Sequence, residues 1–198
     1  MKKFSKIIVL TLLVLMIAAP VVSASSTPYS TYTYSSLGFP LLSPDSYVPD
    51  KIIDSEYMGL EYAIDTPCDL EVDPDGNVYI ADAGNARIVV LDKYYKFKFE
   101  IRNFTNSNGI PDKFNAPKGV FVNEKNIYVC DTDNNRIVMF DRDGNFVKIV
   151  PRPESTLFEN DDIYKPVAVA VDSYGRLFVV SSTTYQGIIV MNDDGVFT

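Results

Sequence analysis

The sequence predicts an all-β fold assembled from repeated four-stranded units, and three observations carry that expectation. One stretch is written twice: NVYIADAGNARIVVLD runs from Asn77 to Asp92, and NIYVCDTDNNRIVMFD follows from Asn126 to Asp141, 49 residues later. From Tyr62 onward apolar and polar residues alternate, as in strands with one buried face, and no sustained helical period follows the first residues. The alternation is interrupted at Asp75-Gly76, Asn108-Gly109, Asp143-Gly144 and Asp194-Gly195, where glycine supplies the positive φ of a tight turn.

The first residues stand apart from that pattern. Lys2, Lys3 and Lys6 flank the apolar run Ile7–Ala19, Pro20 breaks it, and Val22-Ser23-Ala24 ends in small-x-small spacing. This reads as a secretory signal peptide cleaved after Ala24, and the run is shorter than the roughly 20 residues of a membrane span. An uncleaved anchor is the alternative; no cysteine follows the run to take a lipid. Residues 25–61 form a Tyr/Ser/Pro-rich arm. Tyr29, Tyr32 and Tyr34 either pack it along the domain or offer an aromatic patch to a ligand.

Composition excludes several chemistries. The 198 residues hold 18 Lys and Arg against 26 Asp and Glu, a formal charge of -8. Loss of the three leader lysines takes this to -11. Such an acidic chain is a poor partner for nucleic acid or an anionic membrane surface. There is no histidine, so a histidine general base, a Ser-His-Asp triad and any histidine-ligated metal are excluded within these residues. Two cysteines, Cys68 and Cys130, do not make a disulfide scaffold. They are expected as two isolated buried thiols, with a bond between them conceivable only if their Cα atoms approach within about 7 Å.

The doubled stretch extends to a third copy. Pro67, Pro117 and Pro166 open three repeats at spacings of 50 and 49 residues. Strand a is expected over 70–72, 120–122 and 169–171, strand b over 78–81, 127–130 and 177–180, and strand c over 87–91, 136–140 and 187–191. Strand d is expected over 97–101 and 146–150, and begins at 196–197 in the third repeat. Four strands at a period near 50 residues describe propeller blades, here 66–104, 116–153 and 165–198 of a domain spanning 62–198. A single blade cannot bury both faces, so it stacks on copies of itself. Three blades do not close a ring. The expectation is therefore the N-terminal portion of a longer, six-bladed propeller, with Tyr47–Ile53 as the strand that latches it. Two three-bladed chains closing one ring is the alternative.

At these residues the chain resembles the NHL-repeat family of β-propellers. Pro117-Lys118-Gly119-Val120-Phe121-Val122 matches the family's opening P-x-G-[IV]-[AF]-V. The eight residues from Asp75 to Asp82 match D-G-x-[IL]-Y-V-[AT]-D. The run Asn134-Asn135-Arg136-Ile137, closing at Phe140-Asp141, matches the remainder. The third repeat departs from the pattern, with Ser181 in place of Asp82 and Asp131, and Gln186-Gly187 in place of the Arg-Ile that starts strand c.

Asp82, Asn85 and Arg87 recur as Asp131, Asn134 and Arg136 in the loop between strands b and c. They are either a repeated ligand site or a structural loop lock. The lock is favoured because an active site usually occurs once. The segments from Asp73, Asp131 and Asp141 look like calcium loops, but glycine falls at the fourth rather than the sixth position of those that carry it, so they read as hairpin turns. No metal or other cofactor is expected, calcium remaining the open case. Asp69 stands where the other repeats have Gly119 and Ala168, at a position expected to face the mouth of the central channel, and is the candidate ligand-binding residue. Asn103-Phe104-Thr105 spells a glycosylation sequon.

The leading functional expectation is a secreted, non-catalytic scaffold that binds an extracellular protein, or a carbohydrate or cell-envelope ligand. The alternative comes from the resemblance. Similar propellers include lactonases of the gluconolactonase type, which hold a divalent metal at the channel mouth. That would give Asp69 a metal-binding role, with the rest of the site outside this chain.

Overall fold

The computed structural model describes residues 31–43, 50–153, 164–183 and 187–198. The leader, Tyr29 and residues 44–49 lie outside them. The chain divides into two units, Met1–Ile52 and Ile53–Thr198.

In the first unit β1 (Thr31–Tyr34) pairs antiparallel with β2 (Pro40–Ser43). Gly38, at φ 81°, turns the chain between them, and the rings of Tyr32 and Tyr34 meet edge to face at 5.6 Å. Residues 50–53 carry no strand, so the described part of the proposed latch, Asp50–Ile53, has no regular structure.

The second unit opens with a helical turn that the sequence did not announce, α1 (Ser55–Met58). The Asp54 carboxylate caps it by accepting from the Tyr57 N–H at 2.8 Å, and Gly59 ends it in the left-handed region. Three sheets follow. The first blade has β3 (Pro67–Val72), β4 (Val78–Asp82), β5 (Arg87–Leu91) and β6 (Phe97–Ile101), adjacent in that order. A short hairpin, β7 (Asn103–Thr105) with β8 (Pro111–Lys113), leads to the second blade. That blade has β9 (Pro117–Val122), β10 (Asn126–Asp131), β11 (Arg136–Asp141) and β12 (Phe146–Val150). The third has β13 (Pro166–Val171), β14 (Leu177–Ser181) and β15 (Ile189–Met191), with a single antiparallel bridge between Met191 and Phe197. The chain is an all-β protein of antiparallel propeller blades.

Five of the described turns share one construction. Asp92, Asn106, Asp141, Asp172 and Asn192 each accept through Oδ1 from the N–H groups two and four residues on. The residue before the last of these N–H groups is left-handed, and it is glycine in all but one case: Tyr95 takes φ 63° where the others have Gly109, Gly144, Gly175 and Gly195. A side chain that closes its own turn makes each hairpin locally specified.

Blade packs on blade through apolar sheet faces. Tyr79, Ala81, Ile88, Val90 and Ile101 of the first blade meet Val120, Ile127, Val129, Val138 and Phe140 of the second. Phe104 and Phe114, at either end of the hairpin, enter the same cluster, and Phe104 lies 5.2 Å from the Phe140 ring and 5.5 Å from that of Phe146. Each such pair adds about 0.5–1.5 kcal/mol beyond its burial. Tyr128, Cys130, Ile137 and Met139 then meet Val169, Leu177, Val179 and Ile189 of the third blade, with Tyr164 between. On the far side of the first blade, Ile53, Met58, Leu60 and Ile64 cover Val89 and Leu91.

Both cysteines are free thiols, but only Cys130 is buried. Cys68 is exposed, against expectation, because it lies on β3, much of which is exposed. Gly119 explains a close approach between inner strands. A Cβ there would lie 2.6 Å from the Val167 carbonyl oxygen and 3.1 Å from the Cys130 sulfur. Gly119→Val therefore wedges the second and third blades apart, and urea denaturation is expected to show a loss of about 1–3 kcal/mol.

Candidate functional site

The repeated polar residues gather at the end of the blades where β4 and β10 finish. There the chain returns to the inner strand through a left-handed non-glycine residue, Thr66 in one blade and Ala116 in the next, both at φ 51°. That conformation costs free energy in a residue with a Cβ. In each case a carboxylate holds the residue before it. Asp82 Oδ1 accepts from the Asp65 N–H at 2.8 Å, and Asp131 Oδ1 accepts from the Asn115 N–H at 2.7 Å. The other oxygen of each aspartate takes two further bonds. Asn85 and Arg87 Nε donate to Asp82 at 2.9 and 2.6 Å, and Asn134 and Arg136 Nε donate to Asp131 at 2.8 Å each. Each asparagine also donates to the backbone of the preceding segment, Asn85 to Ala63 and Asn134 to Lys113.

The arginines reach a second acid that lies outside the repeated pattern. Arg87 Nη1 donates to Glu100 at 2.8 Å, whereas Arg136 grips Asp112 of β8 with both Nη atoms at 2.8 and 2.9 Å. Nothing in the repeat marks these acids, since Glu100 lies in a blade strand and Asp112 in the connecting hairpin. In the third blade Ser181 Oγ accepts from the Lys165 N–H at 3.1 Å, one residue nearer the repeat's proline than the N–H groups that Asp82 and Asp131 hold.

Electrostatics follow the geometry. Burial pushes the Asp131 carboxyl above its ordinary range, while bonds from Asn115, Asn134 and Arg136 pull the other way. The Arg136 guanidinium holds Asp112 down to about 2. For Glu100, hydrogen bonds from Arg87 and Arg102 outweigh the opposing effect of burial and lower its pKa. Burial pushes the Cys130 thiol far up, and the charges of Asp69 and Asp131 add to this.

Asp69 links two blades. Its Oδ2 accepts from the Val120 N–H of β9 at 3.0 Å, and its Oδ1 accepts from the Leu70 N–H at 2.9 Å. A second link across the same pair of blades joins Asp73 to Arg142, and Arg142 also donates to the Asn123 carbonyl at 2.6 Å. Among the described residues no three His, Cys, Asp or Glu side chains are grouped to hold a metal ion.

Beside the Arg136–Asp112 pair lies a groove of about 790 Å³, lined by Asn103, Asp112, Lys113, Asn115 and Asn134 with Ala86, Pro111 and Phe114. Its polar lining is three carboxamides, one carboxylate and one ammonium. Two smaller clefts open at the opposite turns, one between Asn77 and Arg142 and one between Tyr128 and Asp172.

Among solved structures the chain is similar to hydrazine synthase of Kuenenia stuttgartiensis, with a TM-score of 0.51 and 12% identity over 68% of this chain and 35% of that one. It is also similar to a streptogramin B lyase, at TM-score 0.44 and 14% identity over 82% and 44%. A third likeness is to the WD40 β-propeller domain of Doa1, at 0.45 and 13% over 60% and 34%. The chain thus spans between a third and a half of the length of these structures. The likeness shows the β-propeller fold and nothing finer. No protein-family model and no curated protein matches the chain. No helix among the described residues is long and apolar enough to cross a membrane.

Two outcomes are expected from this network. Arg136→Met leaves Asp131, which is fully buried, without its cation, and should cost about 3–5 kcal/mol of stability in urea denaturation. Asp112 is held below its ordinary 3.8, so its stabilisation is complete above about pH 4 and is lost as pH falls toward about 2. In Asp112→Asn the fall in stability across that window should be shallower, as acid titration followed by circular dichroism would show.

Proposed function

We propose that this chain is part of a secreted, NHL-like β-propeller that acts as a binding scaffold, with the groove beside Asn115 and Asn134 as its ligand site. One observation carries the reading: the groove is walled by residues of the Asp131–Arg136–Asp112 network, which fix the loop and the hairpin on either side. A rigid polar groove loses little entropy when a ligand enters. In this reading Asp82, Asn85, Arg87, Asp131, Asn134 and Arg136 form the lock that holds the loops in place. Carboxamides both donate and accept, which suits a neutral, hydroxyl-rich ligand such as a carbohydrate of the cell envelope.

The lactonase-like alternative would ask Asp69 to bind a divalent cation. Both of its oxygens already accept backbone N–H bonds, one of them across the blade interface. That observation supports a structural role for Asp69, so the scaffold is the reading we advance.

Titration calorimetry with short chito-, xylo- and cello-oligosaccharides tests it. The Asn115 side chain is exposed at the groove while its backbone N–H serves the lock. Asn115→Arg is therefore expected to weaken binding at least about tenfold, a loss of about 1.4 kcal/mol, with an unchanged melting temperature. Equal affinity in the variant would place the ligand elsewhere. No binding of any sugar, with capture of a purified extracellular protein instead, would replace the carbohydrate with a protein ligand.

A further inference from the structure

The two clefts at the turn end of the blades are counterparts in the repeat, and they differ in how their polar groups are met. In the cleft between the first and second blades the chain supplies every partner of Tyr79. Asp73 Oδ1 accepts from the Asn77 N–H at 2.8 Å. Asp73 Oδ2 takes three donors: Asn77 Nδ2 at 2.8 Å, the Tyr79 hydroxyl at 3.3 Å and Arg142 of the second blade. The Arg142 guanidinium also lies over the Tyr79 ring, 5.5 Å from its centre.

Strand register places Asn123, Asn126 and Tyr128 of the second blade where the first has Asp73, Asn77 and Tyr79. Asn123 Oδ1 accepts from the Asn126 N–H at 2.8 Å, as Asp73 Oδ1 does from Asn77. The other end of the Asn123 carboxamide is therefore a nitrogen where Asp73 has Oδ2, a donor in place of an acceptor. The arginine is replaced too. Asp193 follows the turn residue Asn192 as Arg142 follows Asp141, and it pairs with Lys148 at 3.2 Å. The consequence falls on Tyr128, which is only 5% exposed and lines a cleft of about 490 Å³ between the second and third blades. Among the described residues nothing bonds to its hydroxyl, nor to Nδ2 of Asn123 or Asn126. Polar groups this deep in a fold nearly always have a partner.

We infer that this cleft binds a ligand carboxylate, one oxygen of which stands where Asp73 Oδ2 stands in the neighbouring cleft and accepts from Tyr128, Asn126 and Asn123. Charge does not oppose it. The Asp172 carboxylate on the third-blade wall is held by Arg176 at 2.7 Å, and the Lys125 ammonium offsets Glu124 in the lining. The volume lies in the ordinary range of a small-ligand site. A free carboxylic acid and the C-terminus of a peptide carry the same chemistry. The inference is independent of the groove beside Asn115 and Asn134 and of its ligand.

Two-dimensional NMR of the isotope-labelled chain, titrated with acetate, with N-acetyl-dialanine and with the C-terminal amide of that peptide, tests it. The peptide acid is expected to shift the amide signals of Asn123, Asn126 and Tyr128. It should bind at least about tenfold more tightly than the amide, because bonds to an ionised acceptor are the stronger. Binding of acetate as well marks a site for free acids, and binding of the peptide acid alone marks one for a C-terminus. Tyr128→Phe keeps the ring and removes the hydroxyl, and should weaken binding about tenfold with an unchanged far-UV dichroism. Asn123→Asp supplies the carboxylate from the chain itself and should abolish binding. No shift with either acid, equal affinity for acid and amide, or binding indifferent to both substitutions would overturn the inference.

Discussion

The structure depends on one constraint: a four-stranded antiparallel sheet with two apolar faces is not stable in water by itself. Each blade here has an apolar face on both sides, and burial at roughly 25 cal/mol per Å² of apolar surface is gained only when another sheet or segment lies against it. Stacking meets that demand for the second blade on both sides. The polar links between blades, Asp69 to Val120, Asp73 to Arg142 and Thr132 to the Pro166 carbonyl, set register and spacing on top of that gain. Net hydrogen-bond contributions near 1 kcal/mol each are too small to replace it.

Most of the blade architecture is legible in the sequence because the same local rules are written in each repeat. Alternation gives the strands, and the Asx–Gly turns give their ends. The expected segments 87–91, 97–101 and 146–150 coincide with β5, β6 and β12. What repeats is readable, and what occurs once is not. The hairpin of β7 and β8 has three residues per strand and no counterpart among the described residues of the other repeats, so only its Asn108-Gly109 turn gave a signal. The capped turn α1 is too short to show a helical period. Ser181 breaks the pattern by eye, yet its hydroxyl still accepts from a backbone N–H of the returning segment, one residue along from the N–H that the aspartates hold.

The polar end of the blades was legible in part, for a related reason. The Asp–Asn–Arg spacing is visible because all three residues lie within one loop and its flanking strands. The second acid on each arginine comes from a place that periodicity does not reach, 13 residues away for Glu100 and 24 for Asp112. The two networks therefore share a first half and differ in the second. Asp112 ties the β7–β8 hairpin to the second blade, and the groove forms against that hairpin. The distinct part of the network, rather than the repeated part, gives this end of the protein its particular shape.

The segments that flank the first blade differ in kind. A capped helical turn covers one side of the first blade, and a β-hairpin fills the gap between the first and second. Only a few apolar anchors are common to them, Met58 and Leu60 in one, Phe104 and Phe114 in the other. Such spacers are free to change length over evolutionary time. Each doubling of a flexible connection costs only about 0.6 kcal/mol of closure entropy, so the exposed Asn108-Gly109 tip can accept inserted sequence while its anchors and the angle between blades stay as they are. Diversity of surface can then accumulate on a frame whose stacking remains fixed.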